Sequence, residues 1–311
     1  MTTIMNQDDI IKRIEELKKE KNALILAHYY TSPEIQAIAD HLGDSLGLAR
    51  LASENDAESI ILCGVHFMGE TAAIVAPNKK VYSPAPDAGC SLADSIIPAN
   101  LKKWKAENPD GIVISYVNTT AAVKACTDIC CTSANALAVV ESFDRDQKIL
   151  FGPDRHLGGF INAVTGRNME LWSGCCKVHD VISSDMIKAA LKQYPEAYIL
   201  IHPEAACSSD LELIEHDRVF FASTAGMLRH AKQADAKEFI IATEKGTICQ
   251  LQKENPDKTF RLLSEDLICN DMKKITLEKV LDCLENESGR VIIEDDILKR
   301  AMDPINRMME I

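Results

Sequence analysis

Three cysteines, far apart in the chain, constrain it most. Cys176 lies in Trp172-Ser173-Gly174-Cys175-Cys176-Lys177-Val178-His179. Cys90 stands 86 residues before it, in Asp87-Ala88-Gly89-Cys90-Ser91-Leu92-Ala93-Asp94. Cys269 stands 93 residues after it, in Glu265-Asp266-Leu267-Ile268-Cys269-Asn270-Asp271. Each closes a segment written to one plan. The chain reads as a unit repeated three times, each copy offering a thiol to a common centre.

Every cycle opens with a short apolar run of the kind that forms a buried parallel strand: Ala23–Ala27, Gly111–Ser115 and Ala197–Ile201. Polar groups follow at its C-terminal edge, where open α/β sheets bind ligands: His28-Tyr29-Tyr30, Tyr116-Val117-Asn118 and His202-Pro203-Glu204. A pair of short polar residues then starts a helical pattern: Asp44-Ser45, Thr132-Ser133 and Ser223-Thr224. Such residues cap helices, yet a hydroxyl beside open backbone N–H groups also binds anions. Three occurrences at equivalent places favour the second role. A second strand (Ser59–Cys63, Lys148–Phe151, Glu238–Ala242), a Gly-containing turn, a helix and a third short strand then lead to the cysteine.

The expected organisation is an N-terminal helix (1–21), three αβα repeats (22–99, 100–190, 191–273) and a helical tail (274–311). The N-terminal helix is expected over 8–20, capped by Asp8 or Asp9. In the tail, Pro304 should kink or end the last helix.

A chain of 311 residues can bury large cores. No apolar run approaches the ~20 residues that span a bilayer. Met1 to Asp9 is polar and acidic, unlike a secretory or transit signal, which places the chain in the cytosol. A formal charge of −13 and the lack of a basic stripe exclude nucleic acid as a partner. An anionic substrate would have to find local positive potential at helix N-termini, histidines or a metal.

Eleven cysteines in a reducing compartment are packing residues or ligands rather than disulfides. The repeat lifts Cys90, one of the Cys175-Cys176 pair and Cys269 above the rest; Cys130 and Cys131 form a second adjacent pair. Three thiolates are too few for a structural zinc site. They suit a cubane iron–sulfur cluster with one open iron, a Lewis acid for a carboxylate, carbonyl or hydroxyl. Among the histidines, His28 and His202 end equivalent strands and His179 follows Cys176 by three residues, whereas His41, His216 and His230 read as solvated surface.

Across nearly its whole length the sequence resembles the quinolinate synthase family of de novo NAD synthesis. The resemblance rests on Leu26-Ala27-His28-Tyr29-Tyr30, Gly43-Asp44-Ser45-Leu46, Phe67-Met68-Gly69-Glu70-Thr71, Tyr116-Val117-Asn118-Thr119-Thr120, Thr132-Ser133-Ala134-Asn135-Ala136, Gly152-Pro153-Asp154, Cys176-Lys177-Val178-His179, His202-Pro203-Glu204, Ser223-Thr224-Ala225-Gly226-Met227 and Met272–Leu277. It implies a pseudo-threefold triplication of αβα layers around a central [4Fe-4S] cluster, with Cys90, Cys176 and Cys269 as ligands. It also implies condensation of iminosuccinate with dihydroxyacetone phosphate to quinolinate, phosphate and water. The implied substrate contacts are His28, Ser45, Tyr116, Asn118, Ser133, His202, Glu204 and Thr224. Tyr30 matches a residue tied to isomerisation and cyclisation, with His179 close by, and Tyr30, His202 and Glu204 are the expected proton-transfer groups. The pathway implies a functional link to L-aspartate oxidase. Two departures stand out: many members have another residue at Cys175, and some carry a CxxC where Cys269 stands alone.

Three weaker readings compete. An aconitase-like iron–sulfur hydro-lyase would need no phosphate site. A relative of the diphthamide-synthesis enzymes would need sites for S-adenosylmethionine and a protein. A non-enzymatic iron–sulfur sensor would need a DNA-binding element that the sequence lacks.

Overall fold

A computed structural model describes residues 6–311. The expected start of the N-terminal segment, residues 1–5, lies outside the described residues.

Twelve short strands form three four-stranded parallel sheets among the described residues. The first contains β1 (Ala23–His28), β2 (His41–Gly43), β3 (Ser59–Cys63) and β4 (Lys80–Tyr82) in the order β2-β1-β3-β4. The second contains β5 (Ile112–Tyr116), β6 (Ile129–Cys131), β7 (Ile149–Gly152) and β8 (Glu170–Leu171) in the order β6-β5-β7-β8. The third contains β9 (Tyr198–Ile201), β10 (Val219–Phe221), β11 (Glu238–Ala242) and β12 (Thr259–Leu262) in the order β10-β9-β11-β12. The three orders are one order. Helices connect successive strands throughout, so the chain is an α/β protein with a triplicated layer pattern.

The central pair of each sheet is its apolar spine. Ile25, Leu26, Ile60, Ile61 and Leu62 are at most 1% exposed, as expected for strands covered on both faces. Each repeat has one strand more than the sequence suggests. The additional strands β2, β6 and β10 are three residues long and lie on sheet edges, too short to carry a periodic signal. They matter because each leads into a polar pair: β2 into Asp44-Ser45, β6 into Thr132-Ser133, and β10 through Ala222 into Ser223-Thr224.

By density of contact the chain forms two compact units. One runs up to Cys90 and includes Asn270–Leu298; the other joins Ser91–Cys269 to Lys299–Ile311. In the first unit, the N-terminal helix Gln7–Glu20 packs its buried Ile10, Ile14 and Leu17 face beside the helix Leu277–Asn286. Its cap is Asn6, whose side chain accepts the Asp9 N–H at 3.0 Å; Asp8 and Asp9 occupy the first turn instead. In the second unit, an apolar cluster of Ile187, Ile199, Ile201, Leu213 and Ile240 lies under the third sheet. A smaller cluster of Leu101, Trp104, Val113, Val123 and Leu150 lies under the second. Gly111 supports the latter, because a Cβ there would collide with the Trp104 ring, at 2.8 Å from Cζ3. The last helix runs from Asp295 to Met309 with Pro304 inside it, so Pro304 does not end it.

Candidate functional site

Equivalent positions in the three repeats carry the expected polar groups. His28 ends β1, Tyr116 ends β5, and His202 immediately follows β9. Two residues further on stand Tyr30, Asn118 and Glu204.

In the first unit, His28 is 6% exposed and its Nδ1 accepts the Tyr30 N–H at 3.1 Å. In its neutral form the ring therefore carries its proton on Nε2. The Tyr30 ring packs edge-on to it at 4.5 Å, and Lys273 Nζ donates to the Tyr30 carbonyl at 2.6 Å. Asp44 caps the helix Ser45–Glu54, accepting the Gly47 N–H at 3.0 Å. Capping thus falls to Asp44, and Ser45 occupies the first helical position.

The second unit repeats the histidine device. His202 Nδ1 accepts the Glu204 N–H at 3.4 Å, which puts the neutral ring's proton on Nε2, 3.4 Å from Ser133 Oγ. Ser223 caps the helix Thr224–Gln233 through Gly226 N at 3.2 Å, and Thr224 takes the first helical position. The middle repeat differs. Thr132 and Asn135 bond to one another at 3.1 Å, and the helix Ala136–Glu141 starts only after them, so Ser133 lies in a turn ahead of it.

Glu204 is the hub. Its Oε1 accepts the Tyr116 hydroxyl at 2.5 Å and its Oε2 lies 2.8 Å from His179 Nδ1, with His202 Nδ1 at 3.9 Å. His179 Nε2 meets Thr243 Oγ1 at 2.8 Å, and the His179 and His202 rings stack at 4.6 Å. All of these side chains are at most 5% exposed. Burial alone would raise the Glu204 carboxyl, but the charges of His202 and His179 and the hydrogen bonds from His179 and Tyr116 outweigh it. The carboxyl is held well below the usual carboxylate range, so it is ionised at neutral pH. Facing this charge, His179 Nδ1 must donate.

The three cysteines share one local device. The residue three beyond the second strand of each repeat donates its backbone N–H to the carbonyl two residues before the cysteine. These bonds are His66 N to Ala88 O at 2.8 Å, Arg155 N to Gly174 O at 2.8 Å, and Lys245 N to Leu267 O at 2.9 Å. Counting two residues on from each carbonyl leads to Cys90, Cys176 and Cys269. At the middle clamp only glycine fits: a Cβ on Gly174 would meet Ser95 Oγ and stand 2.6 Å from the Pro153 carbonyl. The neighbouring Cys175 is engaged elsewhere, its thiol bonding to Asp180, which also binds His156 at 2.6 Å and Arg155 at 2.8 Å.

Cys130 and Cys131 lie in β6, fully buried, and burial raises both thiols. They pack the sheet. His41 is exposed on β2, as expected, but His230 is half-buried against the Phe220 ring at 4.0 Å.

Cys176 Sγ, a His179 ring nitrogen and a Glu204 oxygen lie within 4.8 Å of one another, a possible metal-binding group. Both nitrogens of His179 and both oxygens of Glu204 already serve hydrogen bonds inside the protein. A thiolate is the soft donor of this group. Asn118 Oδ1 and Asp154 Oδ2 are among the buried oxygens with no hydrogen-bond partner among the described residues. Asn118 Oδ1 is an acceptor kept out of water beside Tyr116, as a substrate contact would be.

Sequence reasoning gave no role to Thr243, Glu244 or Asp154, the last quoted only within Gly152-Pro153-Asp154. A signal existed for the two acids, since they stand two residues beyond β7 and β11.

No helix among the described residues is long and apolar enough to cross a membrane. Comparison with known proteins returns one family consistently. The quinolinate synthase of Thermus thermophilus is 47% identical over 307 residues, covering 99% of this chain and 99% of that protein. Those of Pyrobaculum aerophilum and Chloroherpeton thalassium are 46% and 45% identical, covering 96% and 99% of this chain and 98% and 96% of theirs. The sequence model described as "Quinolinate synthetase A protein" matches residues 12–310. With three like sheets, three like clamps and a match from end to end, the chain belongs to the quinolinate synthase family.

Proposed function

We propose that this chain synthesises quinolinate, condensing iminosuccinate with dihydroxyacetone phosphate and releasing phosphate and water. The observation that carries this reading is the buried Tyr116–Glu204–His179 network beside the Cys176 thiol. Cys90, Cys176 and Cys269 would hold a [4Fe-4S] cluster with one open iron. Bound there, the cluster would supply a Lewis acid that polarises a substrate oxygen or nitrogen and helps a hydroxyl leave as water.

The remaining work falls to the chain's own groups. His28 and His202 present Nε2–H donors, each oriented by a backbone N–H on Nδ1. Imidazole N–H donors of this kind can hold a substrate carboxylate without a lysine or arginine, which answers the difficulty posed by a charge of −13. Asn118, Tyr116 and Ser133 add polar contacts, while Ser45 and Thr224 stand at the first turns of ten-residue helices, where an anion gains from unpaired N–H groups. Glu204 stays ionised and orients Tyr116, His179 and His202. His202 and Tyr30 are then the groups that pass protons during isomerisation, imine formation and dehydration. The reaction belongs in the cytosol, beside an oxidase that supplies the short-lived imine from L-aspartate.

The test is iron and acid-labile sulfide per chain after anaerobic purification, followed by a quinolinate assay. About four of each in the wild type is expected, with loss in Cys90→Ala, Cys176→Ala and Cys269→Ala but not in Cys175→Ala. Zinc in place of iron, or retention in Cys176→Ala, would overturn the assignment.

A further inference from the structure

The geometry points to Asp154 and Glu244 as a matched pair of positioning residues, each setting the loop that presents its own repeat's cysteine, Cys176 or Cys269. This rests on the reading of those cysteines as ligands of a shared metal centre.

The two carboxyls occupy the same place, two residues beyond β7 and β11, and both are fully buried. Glu244 spans two backbone groups: Oε2 accepts the Gly246 N–H at 2.6 Å and Oε1 accepts the Cys269 N–H at 3.3 Å. It ties the turn after β11 to the cysteine itself, parallel to the Lys245–Leu267 clamp. Asp154 commits Oδ1 to the N–H groups of His156 and Leu157, at 2.9 and 2.8 Å, and so caps the helix Arg155–Thr165. Its backbone forms an isolated parallel bridge with Gly174, two residues before Cys176, and the Cys176 N–H favours its charged form.

Burying a carboxyl is expensive, and a helix cap or a turn can be built from Ser or Asn on the surface at no such cost. Both acids lie instead where the backbone of the cysteine passes. A sulfur ligand needs its Cα–Cβ bond aimed, and fixing the peptide N–H of the same residue aims it. The first repeat shares the clamp, from His66 to Ala88, but has apolar Val65 at the position of the two acids.

The experiment uses the full-length protein and two readouts. In the metal-free form, alkylation by iodoacetamide is followed cysteine by cysteine by mass spectrometry. Asp154→Ala should raise the rate at Cys176 several-fold and leave Cys269 and Cys90 unchanged, whereas Glu244→Ala should do the converse. Asp154→Asn and Glu244→Gln, which keep the shape but replace one acceptor oxygen with an N–H donor, should raise the rate at the same cysteine as the Ala variants do. After anaerobic loading with iron(II) and sulfide, iron release to a chelator should be about 10- to 100-fold faster in each Ala variant. Equal changes at all three cysteines with a falling Tm, or no change at the partner cysteine, would overturn the proposal. The alkylation pattern stands even if the wild type took up no cluster, so failure of the metal reading and failure of this one are distinguishable.

Discussion

The phenol of Tyr116, at the end of β5, donates to Glu204 beyond β9 at 2.5 Å, joining repeats whose sequences lie 88 residues apart. An O–H···O⁻ bond this short is charge-assisted, and both groups are buried. The bond fixes Tyr116 and satisfies a carboxylate that could not otherwise remain ionised away from water.

Tyr116→Phe should therefore lower stability by about 1.5–3 kcal/mol, the range for a hydrogen bond to a buried charge. Glu204→Gln should retain iron and sulfide but lose about 10²–10⁴-fold in turnover, because the amide no longer offers the charged acceptor that orients Tyr116 and His179. Urea unfolding and quinolinate formation measure the two effects. Wild-type turnover in Glu204→Gln would remove that residue from the chemistry.

Thiol reactivity should divide the cysteines into two classes. Burial pushes Cys130 and Cys207 up to about 12 and Cys283 up to about 11, and raises Cys63 and Cys131 as well. At about pH 8 these five remain thiols, the unreactive form, and their burial adds a steric barrier. Native alkylation should spare them, and unfolding in urea should expose all eleven. Labelling of Cys130 before unfolding would count against its packing role.

Lys124 is fully buried and its ammonium donates to the carbonyls of Val117, at 2.8 Å, and Thr119. Those residues flank Asn118. Lys124→Met should cost about 1–3 kcal/mol for each carbonyl left without a donor. It should also raise KM more than it lowers kcat, since the loop carrying Asn118 loses its tether. A variant with wild-type stability and KM would show that the loop holds itself.

The Asp180 carboxyl is held below its usual range, first by the hydrogen bond from His156 and then by the Arg155 charge. A lowered folded pKa adds stability that is present above the unfolded value of about 3.9 and lost as pH falls through the folded one. In metal-free protein, the Tm gap between wild type and Asp180→Asn should be largest above about pH 4 and close below it. A gap that widens on acidification would reverse the sign and reject the account.

Much of this was legible because it is local. The central strands β1, β5 and β9 are continuous apolar runs, and His28, Tyr116 and His202 sit where those runs end. The edge strands escaped notice because three residues such as Val219–Phe221 carry no period. At two of the polar pairs capping falls to the first residue: Asp44 and Ser223 cap, while Ser45 and Thr224 stand in the first turn. Pro304 removes one N–H donor without ending the helix.

Sequence alone determined the triplicated layers and the polar groups at the three strand ends, because periodicity and spacing record what each segment buries; the family was legible in the ordered motifs it resembles. Tertiary structure decided which buried groups meet. Only the fold brings Tyr116 and His179 onto Glu204, and ties the backbone ahead of the Cys175-Cys176 pair through the Arg155–Gly174 bond. Asp154 and Glu244 likewise gain a role only where a distant backbone passes them. Hydrogen bonds between segments many residues apart leave no period in the sequence, so they become visible only when the chain is folded.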